Sequence, residues 1–177
     1  MYRATYETQN SDGSKSGHIR TRAIKVFKLT ELKPDQQAWI EKCLRNEMFI
    51  SKYLKHPHVV IAYDVIKTHG HAYIVMLFAT NGSIQSDLFE RLKRPYKNDE
   101  AKRYFEGLTS GLQYMHNNNV AHRDLKLANF LLNSNSTAEN VPMIADFGFS
   151  ARVKGIKNTV LTQMLKQTIC GTNVSFQ

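Results

Sequence analysis

Apolar and polar positions divide the chain into two unlike halves. Residues 2–6 (YRATY) predict a short strand, and the polar stretch 7–18, with Gly13 and Gly17, predicts a turn. Residues 20–29 alternate and carry β-branched side chains, so a second strand follows. Pro34 and Asp35 open a helix of about twenty residues. Its apolar positions Trp39, Ile40, Cys43, Leu44 and Ile50 fall near helical spacing, and KHPH at 55–58 ends it. Two further strands, Val59–Lys67 and Ala72–Ala79, flank a turn at Thr68–His71.

The second half changes period. Asn81-Gly82-Ser83 is a turn and helix start. Asn98 caps a long helix to about Asn117, with Ala101, Tyr104, Phe105, Leu108, Leu112 and Met115 on one face. A loop, AHRDLKLANFLL, runs into a short apolar strand. Residues 133–141 are a polar turn, 142–150 another short strand, and Ala151–Gln177 has no clear period.

Composition narrows the class. Hydrophobic residues make up 42% and charged residues 22%, which excludes fibrous, mucin-like and wholly disordered chains. Lys and Arg number 24 against 15 Asp and Glu, a net charge of +9 that favours anionic partners. The basic residues are spread out with no aromatic-basic motif, so nucleic acid is not an expected partner. Cys43 and Cys170 are too isolated for a disulfide framework or a metal knuckle and suit a reducing compartment. The longest apolar run, Ala72–Ala79, falls short of the roughly 20 residues a membrane helix takes, and no leader pattern stands at the start. Residue 2 is Tyr, so the glycine needed for myristoylation is absent. The expectation is a soluble, cytoplasmic protein, with the nucleus open and no membrane partner. The N-x-S/T matches at Asn81, Asn135 and Asn173 would then be idle.

Four elements carry the chemistry: Ala23-Ile24-Lys25 on a strand, Glu47 in the next helix, His122-Arg123-Asp124-Leu125-Lys126 with Asn129 in a loop, and Asp146-Phe147-Gly148 after a strand. Singly they are bland. Lys25 reads as a surface lysine, Glu47 as a solvated helix residue, Asp124 and Asp146 as turn residues, and Asn129 as a cap. In this order and spacing, from about Tyr2 to Thr172, they resemble a protein kinase.

The resemblance implies an α+β, two-lobed protein-kinase-like fold, here incomplete. Residues 1–79 would form a partial N-terminal lobe, a small antiparallel sheet plus one helix. Residues 80–177 would form a partial, mainly helical C-terminal lobe with the catalytic loop and activation segment. The implied reaction moves the γ-phosphate of ATP, with Mg2+, to serine and threonine hydroxyls of protein substrates. Such chemistry needs positioning and charge stabilisation more than covalent help. By resemblance Lys25 holds the α- and β-phosphates and Glu47 holds Lys25. Asp124 orients the hydroxyl and takes its proton, and Lys126 contacts the transferred phosphate, as in serine/threonine kinases. Asn129 and Asp146 supply hard oxygens to magnesium. His122 reads as structural, packed under the loop.

DFGFSARV, LKQTICGT and YIVM resemble the calmodulin-dependent-kinase-like group, and within it the testis-specific serine/threonine kinases. That likeness makes Met76 the gatekeeper and Leu77 to Ala79 the hinge for adenine, with Ala23 and Leu131 on either side of the ring. It aligns Thr168 with an activation-loop phosphothreonine whose phosphate Arg123 would pair. An upstream kinase or a chaperone is the further expected partner.

The sequence also departs from the pattern. No GxGxxG precedes Tyr2, Met1 stands where that loop's closing valine would be, and Asn173–Gln177 do not continue into A-P-E. The expectation is a fragment with exposed apolar helix faces and impaired rate. Ser51 and Ala62 stand where relatives carry larger apolar residues beside the helix, which predicts a loosely held Glu47, and Leu77 replaces a common hinge glutamate. A non-catalytic, kinase-derived binding module is the competing reading.

Overall fold

The computed structural model describes residues 1–9, 11, 13–30, 32–134 and 139–152, with the side chains of Gln9, Ser51 and Lys52 left aside. Strands β1 (Tyr2–Gln9) and β2 (Lys15–Lys28) pair antiparallel, and β4 (His71–Leu77) and β3 (Ala62–Lys67) complete a sheet ordered β1-β2-β4-β3. The first hairpin is longer than the pattern predicts. Gln9 still faces Lys15, so the paired strands run well into the stretch 7–18 that the pattern assigns to a turn. Both faces of this end are solvated, so no apolar alternation marks it. A Lys15–Glu7 ion pair and a Thr8–Ser16 hydroxyl contact hold it instead. Gly13 and Gly17, at φ +84° and +72°, take left-handed conformations that side-chain-bearing residues rarely adopt.

Helix α1 (Pro34–Tyr53) starts with Pro at its first position, and the Gln36 side chain accepts from the Lys33 N–H at 3.0 Å. It buries Cys43, Leu44, Glu47 and Ile50, while Trp39, assigned to the apolar face by spacing, is half-exposed. Alternate residues of β4, Ala72, Ile74 and Met76, face the core. The next strand begins at Ala62, not Val59, because the preceding segment is used elsewhere. Val60 N–H donates to Ile144 at 2.9 Å and Ile144 N–H to His58 at 2.9 Å. This joins the sheet to the hairpin β6 (Phe130–Ser134) and β7 (Asn140–Ile144).

Ser83 caps the short helix α2 (Ile84–Ser86), which continues as a π-helical turn over Asp87–Leu92. The buried Asp87 carboxylate is held there by Arg91 and by the Tyr96 hydroxyl. Helix α3 (Asn98–Asn117) has Lys97, not Asn98, as its cap. Its buried stripe is Tyr104, Gly107, Gly111 and Met115. Ala101 and Phe105, expected on that face, point outward, and Phe105 is 71% exposed. The glycines let the helix press on the chain before β3. A Cβ on Gly107 would come 2.7 Å from His58 Cε1, and one on Gly111 2.8 Å from the His58 carbonyl. A two-residue pair, β5 (Val120–Ala121) with β8 (Ala151–Arg152), closes the described chain. Thr168 and Cys170 lie outside the described residues.

Candidate active site

Lys25 stands on β2, whose pairing with β4 fixes its direction: Ala23 faces Met76 and Lys25 faces Ile74 across the ladder. Its ammonium lies 3.3 Å from Glu47 Oε1 and 2.8 Å from Asp146 Oδ1. Glu47, in the second turn from the end of α1, is 2% exposed, and the nearby Phe147 backbone N–H favours its charged form. Burial pushes the Glu47 carboxyl above its ordinary value, against the pull of Lys25. Burial alone would lower Lys25, but the two carboxylates outweigh it and its pKa stands raised. Asp146 has φ +66°, which turns its carboxylate out of the strand direction toward the cleft, where its side chain is 41% exposed.

The loop from His122 to Asn129 carries the second cluster. Asn129 Nδ2 donates to the Asp124 carbonyl at 2.8 Å and to Asp124 Oδ2 at 3.1 Å, and the Lys126 ammonium lies 2.9 Å from the same Oδ2. His122 lies buried beneath. Its Nδ1 accepts the Asp124 N–H and its Nε2 faces the Ala145 carbonyl at 2.9 Å, so the ring is a neutral Nε2–H tautomer. Burial holds its pKa below the ordinary value. It also meets Phe147 edge-on at 5.6 Å, the structural role expected of it.

Of the residues assigned to adenine, Ala23, Met76, Leu77 and Leu131 meet in one apolar cluster with Val60, Met143 and Ala145. Ala79 follows β4, half-buried. The Leu77 N–H is already taken by the Ile61 carbonyl at 3.0 Å. Arg123, in a left-handed conformation at φ +69°, donates through Nε to the Phe149 carbonyl at 2.8 Å. Its expected partner Thr168 lies outside the described residues. Ala62 is half-buried against the apolar cluster, at a break in the β3–β4 register. Sequence reasoning missed Asn46 and Ser150: the Asn46 amide donates to the Ser150 carbonyl at 2.8 Å. Their one legible signal was that Asn46 shares a helical face with Trp39 and Cys43.

The chain matches the protein kinase domain over residues 11–174. Serine/threonine-protein kinase PLK4 of Xenopus laevis is 30% identical over 154 residues, 87% of this chain and 15% of that protein. NUAK family SNF1-like kinase 1 of Homo sapiens is 33% identical, over 86% of this chain and 21% of that protein. SNF1-related protein kinase catalytic subunit alpha KIN12 of Arabidopsis thaliana is 35% identical, over 72% of this chain and 24% of that protein. The chain thus spans less than a quarter of the length of these relatives. A domain match along nearly the whole chain, with its charged residues gathered in one cleft, puts this protein in the protein kinase family, among chains similar to serine/threonine kinases.

Proposed function

We propose that this cleft transfers the γ-phosphate of ATP to serine or threonine hydroxyls of protein substrates. The observation that carries the reading is the Lys25 ammonium bridging Glu47 and Asp146, three elements joined at one point. Lys25 is held where it meets the α- and β-phosphates, and Asp124 orients the substrate hydroxyl and accepts its proton. Lys126 lies against that carboxylate and moves charge toward the transferred group. The donor set fits a hard cation: Asp146 offers a partly open carboxylate, and Asn129, its amide protons spent on Asp124, keeps its carbonyl oxygen as donor. When bound, Mg2+ would neutralise phosphate charge there. Ala23, Met76, Leu131 and the backbone of Leu77–Ala79 would receive the adenine.

The lobe division at residues 79 and 80, an upstream kinase acting at Thr168, a chaperone partner and a cytoplasmic site of action belong to the same proposal. Among the described residues no helix is long and apolar enough to cross a membrane. The narrower likeness to testis-specific kinases rests on YIVM, on DFGFSARV, described as far as Arg152, and on LKQTICGT, which lies outside the described residues.

The test is transfer from Mg-ATP to a generic basic protein, comparing the chain with Asp124→Asn. Loss of a general base predicts a fall of roughly 10²–10⁴-fold. Equal rates from two folded proteins would remove the transfer reading and leave the binding module.

A further inference from the structure

We propose that Asn46 is a positioning residue that couples α1 to the segment after Asp146 and so holds Glu47 against Lys25. The kinetic arm of its test rests on the phosphoryl-transfer reading above; the structural arm does not.

Trp39, Cys43, Asn46 and Glu47 follow one another at intervals that place them on one side of α1. That side meets four consecutive residues. The Trp39 ring meets Phe149 edge-on at 5.8 Å. Cys43 lies beside Gly148, where a Cβ would sit 3.8 Å from its Cβ and Sγ. Glu47 lies near the Phe147 backbone N–H, and the Asn46 amide donates to the Ser150 carbonyl at 2.8 Å.

Ser150 is a firm anchor. It is fully buried, its N–H bonds the Phe147 carbonyl at 3.0 Å, and its hydroxyl bonds the His122 carbonyl at 3.2 Å. From the other side, Arg123 grips the Phe149 carbonyl. Two neighbouring carbonyls are therefore held from opposite directions, one by α1 and one by the loop that carries Arg123. A buried carboxylate such as Glu47 stays charged only while its partner is held close. Another ion pair from α1 to the sheet, Glu41 with Lys67 at 2.7 Å, is solvent-exposed and fixes little. Cys43 and Trp39 add packing without direction, so the directional link falls to Asn46.

Asn46→Asp keeps the shape but sets an acceptor against the Ser150 carbonyl. Two quantities are read in the full chain: kcat and KM for ATP, and hydrogen exchange of the amides at 147–152. The expected result is a kcat about tenfold lower with KM within about twofold, which is 1.4 kcal/mol in the barrier. Faster exchange at 147–152 accompanies it. In a Glu47→Gln background the same substitution lowers kcat no further, because Glu47 is the element it acts through. Glu41→Gln, on the same helix, leaves kcat and exchange at parental values. Parental kcat and exchange in Asn46→Asp overturn the inference, and so does full additivity with Glu47→Gln. If the parent transfers no phosphate, the transfer reading alone fails, and exchange decides: protection equal to the parent in Asn46→Asp overturns the coupling, and its loss supports it.

Discussion

At the cleft, Lys25, Glu47 and Asp146 come from three elements, two of them 121 positions apart, and meet through charge. Just below, at the joint before β3, His58 meets Gly107 and Gly111 of α3 through contacts that leave no room for a side chain. The cleft is half-open, and a displaced ammonium still finds water and a second carboxylate. The joint is close-packed around the buried Gly107 and Gly111, and a displaced backbone finds no second partner there. Charge thus organises the part that must meet ligands, and shape organises the part that must hold the two halves together.

Lys25→Met strikes the cleft hardest. It leaves Glu47 buried without its cation, a cost of about 3 kcal/mol, the low end for such pairs because the Lys25 head is partly solvated. The sign against pH follows. Burial already raises the Glu47 pKa in the folded state, and losing Lys25 raises it further. The variant's folded state therefore binds more protons than its unfolded state, and its stability falls as pH rises. Urea midpoints at pH 5 and pH 8 should show a larger deficit at pH 8. A deficit independent of pH would mean that charge does not hold this cluster.

Gly111→Ala probes the joint. Alanine favours a helix by about 1 kcal/mol over glycine. Its Cβ would nevertheless lie 2.8 Å from the His58 backbone carbonyl, which is not the end of a flexible side chain. The net expectation is a loss of roughly 1–3 kcal/mol, read from the urea midpoint at constant slope. A stabilised variant would show the joint to be loose and the contrast with the cleft unfounded.

The smallest effect is acid sensitivity. His56 stacks on Tyr114 at 5.0 Å, its Nδ1 accepts the His58 N–H, and its Nε2 faces the Ser110 hydroxyl. Burial, with help from His58, lowers its pKa, and burial does the same for His122. The unfolded imidazoles take protons near the ordinary value of about 6.5, before the folded ones do. Stability is therefore full above that value and is lost as pH falls through the depressed folded values. Melting temperature should drop by a few degrees between neutral and mildly acid pH, and His56→Asn should flatten the slope. An unchanged slope would place the acid response in the cleft rather than the joint.

Much of the fold was legible because periodicity records burial. Helix α1 and the buried alternation of β4 both follow from it. The errors have a common origin in partners far away in sequence. Val59 and Val60 looked like strand but pair with β7, and Phe105 looked buried but points outward, because the buried face is the one that carries Gly107 and Gly111. The polar end of the first hairpin carried no signal because neither of its faces is covered.

By itself the sequence determined the family, the order of the charged motifs and the spans of the long helices. Each is a local or fixed-spacing property of the chain. Only the tertiary structure decided that Asn46 meets Ser150, that Gly107 and Gly111 admit His58, and that His122 is a neutral Nε2–H ring. Those outcomes depend on which backbone groups packing brings within hydrogen-bond or van der Waals range, and no spacing along one strand or helix records that.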